Sequence, residues 1–134
     1  MGVSKPSVPK TSISAGVVIR QMLLNCPAVA ALTNKVFPVV TDEARLPYIL
    51  YCRASMEQIP VKSAAGADTV RIEVLCFTEK YAEGVELAEA VRSALDQQQA
   101  ETDGLRIRSC TYIDGEESWQ DDAYVQELDF SVKL

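Results

Sequence analysis

One stretch of the sequence, from Asp68 to Asp96, changes its hydrophobic period from two residues to that of a helix. In its first part apolar and polar residues alternate, which predicts a half-buried strand with Val70, Ile72, Val74 and Cys76 on one face. After Thr78, a predicted helix cap, the spacing predicts a helix with a buried face of Tyr81, Val85, Ala88, Val91 and Leu95. Because each element has one apolar face, the two are expected to bury those faces together and form the core.

The first third of the chain reads as a short lead followed by helix and extended chain. Residues 1–11 carry prolines and serines and are predicted to be a flexible lead, with 12–134 forming a single domain. A helix is predicted over Ser12 to Leu24, with Ser12 as its cap, and a further turn begins at Pro27. Val36 to Val40 is predicted to be an edge strand, because Pro38 within it has no N–H to donate.

The remaining segments are strands separated by polar connections. Pro47 to Met56 is predicted to be a strand, and Glu57 to Ala67 a loop with little to bury. Leu105 to Ile113 alternates and predicts a strand, which is followed by an acidic connection from Glu116 to Asp122. Tyr124 to Leu134 has the clearest alternation in the chain and predicts the last strand.

The order helix, short strand, strand, strand, helix, strand, strand predicts an α+β fold. Short connections, including the Asp103-Gly104 turn, favour a largely antiparallel sheet of four to five strands with the two main helices packed on one face. Val36–Val40 and Tyr124–Leu134 are the predicted sheet edges, and unpaired edges are templates for neighbouring chains.

The net charge of the chain limits the kinds of partner that it is expected to bind. The formal net charge is −6, which argues against nucleic acid binding, since phosphate recognition needs clustered Lys and Arg. Residues 1–62 contain seven basic and three acidic groups, whereas residues 63–134 contain six and sixteen. No apolar run is long enough to span a membrane, and the N-terminus does not resemble a signal peptide, so no membrane partner and a cytoplasmic location are expected.

The residue types exclude several kinds of chemistry. The chain has no histidine, which removes Ser-His-Asp and Cys-His catalysis. Its four cysteines, Cys26, Cys52, Cys76 and Cys110, form no CxxC pair and are predicted to be buried free thiols. No catalytic residue and no cofactor-binding residue is assigned, and the glycines are too isolated to form a phosphate loop.

One acidic cluster is a candidate metal site and comprises Asp114, Glu116, Glu117, Asp121 and Asp122. Its carboxylates are suitable ligands for a divalent ion, but the spacing lacks the periodicity of a calcium loop. No metal site is therefore predicted.

Trp119 lies within this acidic segment and is a candidate partner contact, since tryptophan is enriched in interface hot spots. A tryptophan folded back onto its own core is the commoner arrangement, and it is the favoured interpretation here. The complete set of candidate partner-contact residues is Lys62, Gly66, Glu116, Glu117 and Trp119.

The sequence also resembles a known family. Leu32–Val40 followed by Leu46–Tyr51 looks like the opening of phage tail completion proteins, the tail terminator-like family, in which a short helix and Val-Phe precede a Pro-Tyr strand. The strand from Val70 to Phe77 with its following helix, and the closing strand from Tyr124 to Val132, are similar to the corresponding family segments. The resemblance departs at Asn34-Lys35, where relatives often carry a glycine turn.

This resemblance implies a structural role and no enzymatic activity. Subunits of the family form a ring, typically of six, that stops polymerisation of the tail tube and presents a surface to the head connector. The implied partners are other copies of the chain, the tail tube protein and the head–tail connector proteins. The implied locations are the host cytoplasm during assembly and then the virion tail.

Two other classes are compatible with the sequence. One is a small-molecule-binding regulatory domain, because α+β sandwiches of this size serve many roles. The other is a metal-dependent hydrolase that uses the cluster from Asp114 to Asp122.

Overall fold

A computed structural model describes Val8 and residues 10–39, 45–58 and 68–134 of the chain. A 3-10 turn, Ser12–Ser14, precedes the helices α1 (Ala15–Leu24), α2 (Pro27–Ala30) and α3 (Tyr81–Leu95). The strands are β1 (Val36–Pro38), β2 (Tyr48–Gln58), β3 (Asp68–Thr78), β4 (Ala100–Thr102), β5 (Leu105–Ile107), β6 (Ser109–Gln120) and β7 (Ala123–Lys133). No helix in these ranges is long and apolar enough to cross a membrane.

Five of the strands form one sheet in the order β1-β2-β3-β7-β6. All neighbours in it are antiparallel except β1, which runs parallel to β2. The strands β4 and β5 form a separate hairpin, whose turn residues Asp103 and Gly104 have positive φ as the Asp-Gly pair predicts. The predicted α+β fold with a largely antiparallel sheet is confirmed.

The core lies between one face of this sheet and the helices. The predicted buried face of β3 is confirmed, since Val70, Ile72, Val74 and Cys76 have no exposed surface. In the register with β7, Ile72 is opposite Phe130 and Val74 is opposite Leu128, so buried residues of the two central strands lie on the same side. Burial of each such side chain contributes about 1.5–3 kcal/mol, so this pair of strands contributes strongly to the core.

The helix α3 packs with a face rotated from the predicted one, and Val91 and Leu95 are buried as predicted. Its buried residues are Gly84, Leu87, Ala90, Val91 and Leu95. Tyr81 and Val85, both predicted to be buried, are 48% and 37% exposed. The prediction was wrong for these two residues because it gave Gly84 and Leu87 no part in the contact, and the apolar stripe is rotated toward them.

Gly84 is buried because the sheet approaches α3 closely at this position. A Cβ atom there would lie 2.8 Å from Oγ1 of Thr78, at the end of β3. Thr78 does not act as the predicted N-cap, because its hydroxyl donates to the carbonyl of Lys80 at 2.9 Å and Lys80 is the capping residue. Glycine in mid-helix, which costs about 1 kcal/mol relative to alanine, is therefore explained by the close packing of α3 on the sheet.

The N-terminal helical segment begins one residue earlier than expected. Thr11, not Ser12, is the residue whose side chain accepts from the backbone, at Ile13. The Ser12 hydroxyl instead donates to the carboxylate of Asp68 at 2.7 Å, which ties this segment to the start of β3. Pro27 occupies the first turn of α2, as predicted.

The C-terminal half contains more strand than the sequence predicted. The predicted strand Leu105–Ile113 is divided between β5 and β6, and β6 continues through the predicted connection Glu116–Asp122 as far as Gln120. Only Asp121 and Asp122, both with positive φ, form the turn to β7. The edge of the sheet is consequently β6, and the prediction that Tyr124–Leu134 forms an edge was wrong, because β7 lies between β3 and β6.

The predicted loop Glu57–Ala67 falls partly outside the described residues. Its first two residues, Glu57 and Gln58, belong to β2, opposite Thr69 and Asp68 of β3, so the strand is longer than predicted. Lys62 and Gly66, two of the candidate partner-contact residues, lie outside the part of the chain that the structure describes.

The four cysteines are free thiols, but only two are fully buried. Cys76 and Cys110 have no exposed surface, and burial raises the pKa of both thiols, that of Cys110 to about 12. Cys26 and Cys52 are only partly buried, so the prediction of four buried thiols was wrong for these two.

Candidate partner-contact surface

The edge strand β6 is closed along its first residues by the segment that follows α3. The backbone N–H of Gln97 donates to the carbonyl of Cys110 at 2.7 Å, and a carboxylate oxygen of Asp96 accepts from the N–H of Tyr112 at 3.0 Å. This N–H, together with Arg92, holds the pKa of Asp96 below its ordinary value. The backbone groups that point away from the sheet at Cys110 and Tyr112 are therefore already paired.

Beyond a bulge between Tyr112 and Asp114, the edge of β6 is open. The hairpin closes with Gln120 opposite Ala123 across a two-residue turn, and such a closing pair exchanges both backbone hydrogen bonds. Alternation then makes Trp119, Glu117 and Gly115 the residues whose N–H and C=O point outward. The Gly115 N–H donates to its neighbour Asp114 at 2.8 Å, whereas nothing in the described chain accepts from Glu117 or Trp119 N–H.

An aromatic cluster lies beside this open edge. Trp119 is 55% exposed, and its ring meets that of Tyr124 edge-on with the centroids 4.8 Å apart. The ring of Tyr124 in turn contacts that of Tyr81 on α3, with the two centroids 5.8 Å apart. These three rings, together with Glu117 and Val125, line a concavity of about 200 Å³. The favoured interpretation of Trp119 as a core residue was wrong, because its ring packs on Tyr124 and keeps half of its area in solvent.

Glu117 connects the cluster to both neighbouring elements. One of its carboxylate oxygens accepts from the Tyr81 hydroxyl at 2.9 Å and from the Gln126 amide at 2.7 Å. These two hydrogen bonds lower the pKa of Glu117, and the same carboxylate raises the pKa of Tyr81. Glu117 is therefore ionised at neutral pH and holds Tyr81 over the edge of β6.

Two of the candidate contact residues, Glu117 and Trp119, thus lie on the same surface, and Glu116 does not. Successive residues of a strand point to opposite faces, so Glu116 lies on the face that carries no helix. Tyr81 and Tyr124 complete the surface and were not among the candidates, since their strand and helix spacing indicated core positions. The helical spacing could have shown that Tyr81 is exposed, if the apolar stripe of α3 had been drawn through Gly84 and Leu87.

The helix-free face of the sheet carries a group of carboxylates, which we call the carboxylate face: Glu73, Asp114, Glu116, Glu127 and Asp129. Glu73, Glu127 and Asp129 offer oxygens within 4.8 Å of one another. Asp129 is 2% exposed and forms an ion pair with Arg71. Burial, followed by the charges of Asp129, Glu73 and Glu116, raises the pKa of Glu127 to about 7.

These carboxylates are not the cluster that the hydrolase hypothesis requires. Asp114 and Glu116 belong to the carboxylate face, Glu117 lies on the helix-bearing face, and Asp121 and Asp122 form the β6–β7 turn. Alternation along a strand separates them, and the structure therefore does not bring the five residues to one metal site.

The opposite edge of the same sheet, at β1 and β2, has basic residues around it. Arg20 of α1 donates to the carbonyl of Val36 at 3.3 Å, and Lys35 donates to the carbonyl of Arg45 at 3.0 Å. Arg53 is exposed on β2. The strand β6 and its turn contain no basic residue, so the two ends of the sheet differ in charge as well as in length.

The fold is shared with a chain of a virion particle. The chain superposes with a TM-score of 0.78 on a chain in the virion of a native gene transfer agent (GTA) particle, covering 92% of this chain and 98% of that chain at 18% sequence identity. At this identity the likeness concerns the fold. A search of curated proteins found no match.

Residues 17–133 match the family model of tail completion protein gp17, and the chain belongs to that family. The resemblance inferred from the Val-Phe and Pro-Tyr segments is thereby confirmed. Membership of this family assigns to the chain a structural role in a phage tail.

Proposed function

We propose that the chain is a tail terminator, in which six copies form a ring at the end of the tail tube, stop its polymerisation and join the tail to the head connector. The family match over residues 17–133 is the observation that carries this proposal. A terminator acts by contact alone and needs no catalytic residue. Its copies fold in the host cytoplasm and reside afterwards in the virion tail.

The separation of charge across the sheet supports a head-to-tail contact between copies. Lys35, Arg45 and Arg53 lie at the β1–β2 end, whereas the carboxylate face extends over β3, β7 and β6. A two-fold contact would set the carboxylate face against itself, while a head-to-tail contact sets it against the basic end of the next copy. A closed ring is the assembly that satisfies every such contact.

The free subunit need not be a ring. A contact between exposed charges is weak and is screened by salt, but copies held side by side on a tube end meet at a high effective concentration. The ring is therefore expected to form on the tube.

The test mixes the purified protein with its cognate tube protein and examines tube length and ends by electron microscopy. The expected result is short tubes capped at one end by ring-shaped density. Tubes that grow to the same length without end-bound density at saturating protein would rule out the terminator role and make the regulatory domain the leading alternative.

Charge reversal at the basic end tests the contact between copies. The double substitution Lys35→Glu and Arg45→Glu is expected to abolish capping at a salt concentration where the wild type caps. The single reversal Arg106→Glu, on the exposed side of the separate β4–β5 hairpin, is the control for charge reversal away from the basic end and is expected to cap normally. Equal capping by both variants would show that the basic end takes no part in the ring.

A further inference from the structure

We infer that the open part of β6, from Gly115 to Trp119, is a docking edge that takes up an extended segment of another protein as an additional strand. The outward N–H and C=O groups of Glu117 and Trp119 have no partner in the described chain, and the edge is long enough for several residues of a strand. Exposed edges of this kind bind peptides by main-chain hydrogen bonds, and adjacent side chains set the specificity. The inference depends on the proposed function only for the origin of the segment in the virion.

The side chains on the two sides of this edge define the chemistry of the segment. On the helix-bearing side, Trp119, Tyr81 and Tyr124 line the concavity of about 200 Å³, which fits an apolar side chain. On the helix-free side, Asp114 and Glu116 are exposed carboxylates. Since residues of an added strand also alternate, the fitting segment has apolar residues at one set of alternate positions and lysine or arginine at the other.

A second copy of this chain does not meet these requirements. Two β6 edges placed together would bring Asp114 and Glu116 against the same residues of the other copy, and neither β6 nor its turn contains a positive charge to offset them. The opposite edge, β1, has three residues, one of them Pro38, and its Val36 carbonyl already accepts from Arg20. The occupant is therefore a basic, extended segment of a different protein.

The probe is the blocked heptapeptide Lys-Val-Lys-Val-Lys-Val-Lys, added to the ¹⁵N-labelled full chain. The expected result is saturable binding, with the largest amide shifts at Glu117 and Trp119 and slower hydrogen exchange at both. Two control peptides separate the contributions: one has every lysine replaced by glutamate, and the other carries N-methyl groups on alternate amides. Both are expected to bind at least about tenfold more weakly, since each loses either the charge match or the strand donors.

Matched variants locate the site. Glu117→Pro removes the outward N–H, and proline is tolerated on the free side of an edge strand, whereas Glu117→Gln keeps that N–H. The expected result is about tenfold weaker binding for Glu117→Pro than for Glu117→Gln, with circular dichroism reporting whether each remains folded. If the proline variant does not fold, the N-methyl peptide and the wild-type chain still provide the comparison.

Several outcomes would overturn the inference: equal binding by the N-methyl and parent peptides, equal affinity of the two variants, or shifts confined to another part of the sheet. Concentration-dependent shifts at Glu117 and Trp119 without peptide would show that a second copy is the occupant. The ring is tested independently, because Lys35→Glu with Arg45→Glu is expected to leave peptide binding unchanged. Failure of the wild-type protein to cap tubes, with its peptide binding intact, would count against the terminator role alone.

Discussion

The two edges of the sheet are protected in different ways. The edge β1 is short: it has three residues, includes Pro38, which has no N–H, and has its Val36 carbonyl paired with Arg20. The edge β6 has twelve residues, and in the described chain its outward backbone groups are paired at Cys110, at Tyr112 and at the N–H of Gly115. Natural sheets usually shield long edges, so a chain that leaves part of its longer edge open has a surface suited to assembly.

The difference has a local cause in the sequence. At β1 the strand is very short, Pro38 has no N–H to offer, and Arg20 of α1 pairs with the Val36 carbonyl. At β6 the C-terminal end of α3 supplies Asp96 and Gln97, but these reach only the first residues of the strand. The bulge after Tyr112 then shifts the strand relative to β7, and the open part begins there.

The largest expected effect comes from opening the closed part of β6. Asp96→Ala is expected to lower the free energy of unfolding by about 2 kcal/mol, since Tyr112 N–H and Arg92 both donate to this carboxylate. Urea unfolding at pH 7 measures the loss. Asp96→Asn retains an acceptor oxygen and is expected to lose about half as much.

The pH dependence of this effect has a definite sign. Because the folded pKa of Asp96 is lowered, its stabilisation is complete above the unfolded pKa of about 3.9 and is lost as pH falls through the folded value. The gap between wild type and Asp96→Asn is therefore expected to narrow in strongly acidic urea titrations. An Asp96→Ala variant as stable as the wild type would show that Asp96 does not close the edge.

The second effect concerns the start of the open part. A Cβ atom on Gly115 would lie 2.9 Å from the carbonyl oxygen of Glu127 and would also meet the Tyr112 hydroxyl. Gly115→Ala is therefore expected to destabilise the chain by about 1–2 kcal/mol through displacement of β6 from β7. Thermal unfolding measures it, with Gly16→Ala as the comparison, where the nearest atom is in a side chain, the ring of Tyr51 at 3.2 Å, and no backbone atom of the described chain lies in the way. A larger loss at Gly16 than at Gly115 would contradict the close approach at the bulge.

The sequence predicted the central elements well and the edges poorly. The alternation in β3 and β7 reports burial against the helices, and the strand, the helix and the fold class followed from it. The edge β6 has no such pattern beyond Tyr112, because from Asp114 to Gln120 all its residues except Gly115 are exposed and both of its faces meet water. Acidic residues on an exposed strand look like a loop, so the strand, the edge and the position of Trp119 were missed together.

The candidate surface was predictable only in part, for a related reason. Trp119 and Glu117 were named from residue type, but the reason that they act together is the register of β6 with β7 and the position of Tyr81 on α3. The carboxylate face has the same origin: Glu73 and Asp129 are distant in sequence and become neighbours because β3 pairs with β7. Contacts between distant strands cannot be read from the period of either strand alone.

A third, smaller effect concerns the protonation of Glu127, which lies next to the open part of β6. The pKa of Glu127 is raised to about 7, so the folded chain binds a proton that the unfolded chain releases near pH 4.5. The stability contributed by this proton is fully present below pH 4.5 and is lost as pH rises through 7. The expected loss is about 1 kcal/mol, because Glu127 is partly solvated and its charge is screened.

Glu127→Gln is expected to remove this part of the pH dependence. The comparison is the unfolding free energy of the wild type and the variant from pH 5 to pH 8, where the variant is expected to gain relative to the wild type as pH rises. The facing charges are those of Asp129, Glu73, Glu116 and Arg71, and Glu79→Gln at an exposed position away from them is the control. Parallel curves for wild type and Glu127→Gln would show that Glu127 is ionised throughout this range.

The smallest expected effect comes from removing the hydrogen bond between Arg20 and the edge strand β1. Arg20→Met keeps most of the apolar stem on α1 but removes the donor to the Val36 carbonyl, which water can then reach, so the expected loss is about 0.5–1 kcal/mol. Urea unfolding measures this loss, and Arg20→Lys separates charge from geometry. Because β1 remains three residues long and still contains Pro38, Arg20→Met is not expected to bind the lysine–valine peptide at this edge. Peptide-induced shifts at Val36 and Phe37 in this variant would show that Arg20 alone keeps the edge closed, and that strand length and proline contribute little to the difference from β6.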